Sequence, residues 1–155
     1  MNKRTRAVSI PAKVKRQVEE RDHGLCIFCG KPGRGEAHFI SRAQGGLGIE
    51  ENLLTVCRSC HDLMDNSTNR KEMLRIAEEY LRIRYPYWDR SLLIYEKGIK
   101  TKERAVRAKQ NYEKQRTLEG SVPKNIDLTK PPEGFWFIKG GQDDTGDKRQ
   151  YPHHV

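Results

Sequence analysis

The sequence has few apolar residues: 35% of its 155 positions are hydrophobic, against roughly 45 to 50% in an ordinary globular domain. It has no run of about 18 apolar residues, so it carries no conventional membrane-spanning helix and no membrane partner is expected. The basic start, Met1–Ala7, is followed by no apolar stretch and does not read as a secretory signal. The expectation is a cytoplasmic protein of one domain with a tail. In that reducing compartment disulfides are rare, and paired cysteines more often bind metal. So small an apolar complement also calls for a staple.

Charge, by contrast, is abundant. Thirty Lys and Arg face 21 Asp and Glu, a net +9. The excess is +3 over residues 1–66, with 11 basic and 8 acidic, and +6 over residues 67–119, with 14 and 8; residues 120–155 balance at 5 and 5. A basic middle third attracts nucleic acid, an acidic partner or an anionic surface, and charge alone does not choose among them.

The chain divides into a basic N-terminal arm (1–8), a main domain (9–97), a charged helical extension (98–119) and a flexible tail (120–155). Ser9 to Arg21 reads as a helix capped by Ser9, with Pro11 in its first turn and Val14 and Val18 on one face. Ala37 to Ile40 and Leu53 to Val56 are strand candidates, joined by a loop containing Gly45, Gly46 and Gly48. A helix starts near Cys60, and Lys71 to Arg84 is amphipathic until Pro86 ends it. Leu92 to Tyr95 is a short apolar run, and Lys100 to Leu118 has the pattern of a solvated helix. In the tail, Phe135 to Ile138 is an apolar island suited to an edge strand or to docking on the core. The fold class is α+β.

All four cysteines fall in two CxxC pairs, Cys26/Cys29 and Cys57/Cys60. Two such knuckles complete a closed tetrahedral shell, the pattern of a structural Zn2+. A redox reading would need a thioredoxin-like βαβ context, which neither pair has. A structural zinc contributes on the order of 10 kcal/mol to folding and offsets the thin core. Between and after the knuckles come His38, Asn52 and His61: a histidine on the first strand, an asparagine entering the second, and a histidine on the next helix.

That order, with the glycines and knuckles between Cys26 and Asp65, resembles the zinc-containing branch of the HNH endonuclease family, and residues 9–97 are similar to small free-standing phage-type members. The resemblance implies a ββα-metal fold, cleavage of double-stranded DNA to 5′ phosphate and 3′ hydroxyl ends, and a setting near phage packaging proteins in host cytoplasm. Phosphodiester hydrolysis needs a base, a cation and groups that hold the strand. His38 is the candidate base, because imidazole is available unprotonated near neutral pH. Asn52, by resemblance, fixes the loop and orients the base, and His61 is the candidate ligand of a catalytic cation, Mg2+ or Mn2+ first, Ni2+ or Zn2+ next. Many members place a metal-binding acid or histidine directly before the base, where this chain has Ala37. Asp65, one helical turn after His61, is the first replacement ligand and Glu36 the second. Arg42, Arg70, Lys71, Arg82 and Arg84 are the candidate phosphate contacts. The alternatives are a zinc-stapled DNA-binding module without catalysis and a basic structural or assembly protein.

Overall fold

Two helices lead into the cysteine region of the computed structural model, which describes residues 1–119. The tail, with its apolar island at 135–138, lies outside the described residues. Lys3–Val8 forms α1, capped by Asn2, whose side chain accepts from the Thr5 amide at 2.7 Å. The basic arm therefore contains a helix. Ser9 closes α1 instead of capping the next helix, since its hydroxyl donates to the Thr5 carbonyl at 2.6 Å. Pro11, fixed in φ and lacking an N–H, breaks the chain there and takes the cap position of α2, Ala12–Arg21.

The sheet has two antiparallel strands, β1 (Arg34–His38) and β2 (Leu53–Val56), with Ala37 opposite Leu54 and His38 opposite Leu53. β1 lies upstream of the expected Ala37–Ile40 run. The reason is a contact from across the loop: the Asn52 side chain takes both the N–H and the C=O of Ile40, so the chain leaves the ladder after Phe39, whose N–H still reaches the Asn52 carbonyl at 2.8 Å. All four β2 residues are buried. Leu54 and Val56 join the main cluster with Phe28, Ile40, Met64, Met73 and Tyr80. The intervening Thr55 turns to α2, its hydroxyl 3.3 Å from the Val18 carbonyl, as the two-residue period of a strand requires.

After β2 come α3 (Arg58–Asn66) and α4 (Arg70–Arg84). Ser67 leaves the helical conformation at the end of α3, its hydroxyl donating back to the Leu63 carbonyl at 2.6 Å and accepting from the Asn69 amide at 3.1 Å, so the two helices are separate. α4 buries Met73, Ala77, Tyr80, Leu81 and Arg84, spaced three and four apart. Beyond Pro86, Trp88 stacks edge-on against Phe39 (centroids 5.6 Å) and donates its indole N–H to the Glu51 carbonyl at 2.8 Å. The expected Leu92–Tyr95 run becomes a 3₁₀ turn, Arg90–Leu93, followed by a bridge from Ile94 to Gly46. Helix α5, Thr101–Glu119, buries Thr101 and Ala105 and leaves Val106 and Leu118 exposed.

A buried ion pair ties these layers together. The Asp22 carboxylate accepts from Arg21 (Nε at 2.7 Å, Nη2 at 2.8 Å), from the Thr55 amide at 2.9 Å and from the Tyr80 hydroxyl. Arg21 also donates to the carbonyls of Glu50 and Leu53 at 3.0 and 2.8 Å. A buried pair is tolerable only when hydrogen-bonded this fully; losing one partner typically costs about 3 to 5 kcal/mol. Through it α2 and α4 are braced against the chain just before and within β2.

Candidate active site and metal centre

The first knuckle is a tight turn after α2. Gly30, at φ 73°, lets its N–H return to the Cys26 carbonyl at 2.9 Å, while the Ile27 amide bonds the Thr55 carbonyl at 3.0 Å and docks the turn on β2. The second knuckle forms where β2 passes into α3: Cys57 is the helix cap and Cys60 lies in the first turn. The four Sγ atoms lie within 4.8 Å of one another, with Cys29 and Cys57 at 3.5 Å. Zn–S bonds of about 2.3 Å in a tetrahedron require sulfurs about 3.8 Å apart, so the donors fit zinc and the separation is too long for a disulfide. Hydrogen bonding among the thiols, from Cys29 first, pushes Cys26 down to about 7, and that from Cys26 pushes Cys57 lower still. Cys29 and Cys60 are pushed up by the same crowding. A cation replaces these shared protons as the neutralising charge.

His38 ends β1 directly opposite the first residue of β2. Its Nε2 lies 3.3 Å from the Val8 carbonyl. Burial first, then the Arg42 charge and that of His61, hold its imidazole below the ordinary value, against the opposing pull of the Val8 and Glu36 carbonyls. The ring is therefore unprotonated at neutral pH, the state a base needs. Asn52 is fully buried and makes three bonds to the loop: it accepts from the Ile40 amide (2.8 Å) and donates to the carbonyls of Ile40 (3.2 Å) and Leu47 (2.9 Å). The loop closes so tightly that a Cβ on Gly46 would lie 1.7 Å from the Ile40 oxygen.

His61 and Asp65 meet on α3, Nδ1 to Oδ2 at 3.0 Å. The carboxylate thus engages Nδ1 and leaves Nε2 as the nitrogen with a lone pair for a cation, an arrangement common around metal-bound histidines. Glu36 is not brought to this pair; Lys15 holds it at 3.1 Å and Arg34 at 3.9 Å. Ala37 is 1% exposed and belongs to the core cluster. An acid at that position would enter the core.

The basic candidates divide. Arg84 is 6% exposed, stacked over Tyr80, and is withdrawn as a phosphate contact because it faces inward from α4. Arg82 is paired with Glu78 at 2.9 Å and lies over Trp88, and Arg70 donates to the Met64 carbonyl at 3.0 Å. Lys71 and Arg42 are both exposed, and the Arg42 charge acts on His38. One feature escaped the sequence reading, the Arg21–Asp22 pair, a charged dipeptide at a helix end that reads as solvated; Lys3, Arg4 and Arg6 of the basic arm are exposed on α1. Comparison with curated proteins and with solved structures finds no match. Residues 26–67, which contain all four clustered cysteines, His38, Asn52, His61 and Asp65, match the family model described as HNH endonuclease.

Proposed function

We propose that the protein is a metal-dependent DNA endonuclease that hydrolyses phosphodiester bonds. The observation that carries this reading is that the segment 26–67 matched by the family model holds His38 at the end of β1 beside a loop locked by Asn52, and His61 paired with Asp65 on the following helix. His38 takes the proton of the attacking water as its oxygen bonds to phosphorus and the bond to the 3′ oxygen breaks. His61 is the cation ligand, with Asp65 orienting its ring or sharing the ion. A bound divalent cation, Mg2+ or Mn2+ by preference, would neutralise charge developing on the phosphate and the leaving oxygen. Arg42, Lys71 and the basic residues of α1 supply exposed charge for the strand. The four cysteines hold zinc, which anchors the start of α3 and with it His61.

One observation favours a second reading, a DNA-binding module without catalysis: the position before His38 faces the core, so the cation is offered few protein ligands. Plasmid cleavage separates the two, with Mg2+, Mn2+, Ni2+, Zn2+ and EDTA arms. His38→Ala should cut about 10² to 10⁴ slower at every cation concentration. His61→Ala and Asp65→Ala should recover partly as the cation is raised. Full activity in His38→Ala refutes the mechanism, rescue of that variant by metal exchanges the roles of the two histidines, and salt-sensitive DNA binding without cleavage in any arm selects the second reading.

A further inference from the structure

The N-terminal segment offers no motif, only positive charge, yet three contacts fasten it to the site. The Gly48 amide donates to the Ala7 carbonyl at 3.0 Å, the Arg4 guanidinium donates to the Ala43 carbonyl at 2.9 Å, and His38 Nε2 meets the Val8 carbonyl at 3.3 Å. Gly48 permits this approach. A Cβ there would lie 2.0 Å from the Ser9 oxygen and 2.6 Å from its carbonyl carbon, so the Ser9 backbone would have to move off the loop. Helix α1 buries none of its own side chains. Hydrogen bonds, more than core packing, therefore hold it on the loop. All of it lies outside the residues 26–67 matched by the family.

We propose that Val8 is a positioning residue whose carbonyl holds the Nε2–H of His38, so that Nδ1 is the nitrogen left to accept the proton of water. A carbonyl oxygen offers only lone pairs, so the ring nitrogen facing it is the protonated one, and in a neutral imidazole the other nitrogen then carries the lone pair. The same contact fixes the rotation of the ring. Without the α1 strap the imidazole divides between two tautomers and turns freely, and few of those states aim a lone pair at water. A displacement of that order typically costs about 10² in rate. The inference rests on His38 being the base, as proposed above.

The test reads the tautomer directly. The full-length, zinc-loaded protein with ¹⁵N-labelled histidine is examined by long-range ¹H–¹⁵N correlation at pH 8, as the parent, Gly48→Ala and Arg4→Ala. The parent should show His38 as the Nε2–H form. Gly48→Ala, which pushes the Ser9 backbone off the loop, should lose that single form and cleave about 10 to 100 times slower in kcat. Arg4→Ala cannot disturb the core, because α1 buries no side chain, and should shift both readouts the same way to a smaller extent. An Nδ1–H ring in the parent, which the Glu36 carbonyl would favour, overturns the proposal. So does an unchanged Nε2–H ring in Gly48→Ala. A parent with the expected tautomer but no cleavage under any cation supports the positioning contact and counts against the nuclease reading instead.

Discussion

Replacing Asn52 by alanine is the most informative single perturbation, because one buried side chain closes the whole loop between the strands. It removes the acceptor of the Ile40 amide and the donor to the Ile40 and Leu47 carbonyls, all around a residue with no exposed surface. A buried polar group left without a partner costs about 1 to 3 kcal/mol, so three such groups, partly relieved as the loop relaxes, place the loss at about 3 to 5 kcal/mol. That is a large share of the roughly 5 to 15 kcal/mol that holds a typical domain together. With urea slopes of about 1 to 3 kcal/mol per molar, the midpoint at saturating zinc should fall by about 2 M. Asn52→Asp refines the test. It keeps the acceptor but points a carboxylate oxygen at two carbonyls, which favours its protonated form and raises its pKa in the folded state. The folded protein then binds the extra proton, so this variant should gain stability as pH falls through the carboxyl range, opposite to the loss expected of paired carboxylates. A loss below about 1 kcal/mol in Asn52→Ala, or an Asn52→Asp variant as stable as the parent at neutral pH, would refute the assignment of the loop's closure to this side chain.

Elemental analysis of protein purified without chelator should return one zinc per chain, and Cys26→Ser with Cys29→Ser should melt far below the parent; equal melting would remove zinc from the account. His38 has its folded pKa lowered from the ordinary 6.5, chiefly by burial. Between the folded and unfolded values the folded state binds fewer protons, so stability rises with pH through that window and is lost on acidification through it. An NMR titration should find the His38 ring below 6.5, the acid limb of cleavage should follow it, and a ring titrating at or above 6.5 contradicts the burial argument. DNA affinity should fall steeply with salt, and Arg42→Ala or Lys71→Ala should each flatten the log-log slope by about 0.9. Arg84→Ala should leave that slope unchanged while lowering stability; a flattened slope would show that Arg84 reaches DNA.

Legibility followed the length scale of each interaction. β2 and α5 were readable because an apolar four-residue run and a long charged helical pattern are local properties. β1 was displaced because its C-terminal end is decided by Asn52, a residue 12 positions away whose side chain bonds the Ile40 backbone. Ser9 was assigned to the wrong helix because its hydroxyl serves whichever turn precedes or follows it, and only the presence of α1 settles which. Arg84 follows the same logic: the period of α4 puts it on the apolar face, but its charge argued for the surface.

By itself the sequence picked out the four cysteines that cluster for a metal ion and the His38, Asn52 and His61 candidates, because cysteine spacing and the strand, strand, helix order are chemical constraints written into adjacent residues. Only the tertiary structure decided which of the acids and bases around that set can act with it. It turned Ala37 into the core, gave Glu36 to Lys15, set Asp65 against His61, and brought the Val8 carbonyl and a neutral His38 together. Those outcomes depend on which backbone oxygens and charges arrive from distant segments when the core closes, and burial and hydrogen-bond direction are not properties any short stretch of sequence possesses.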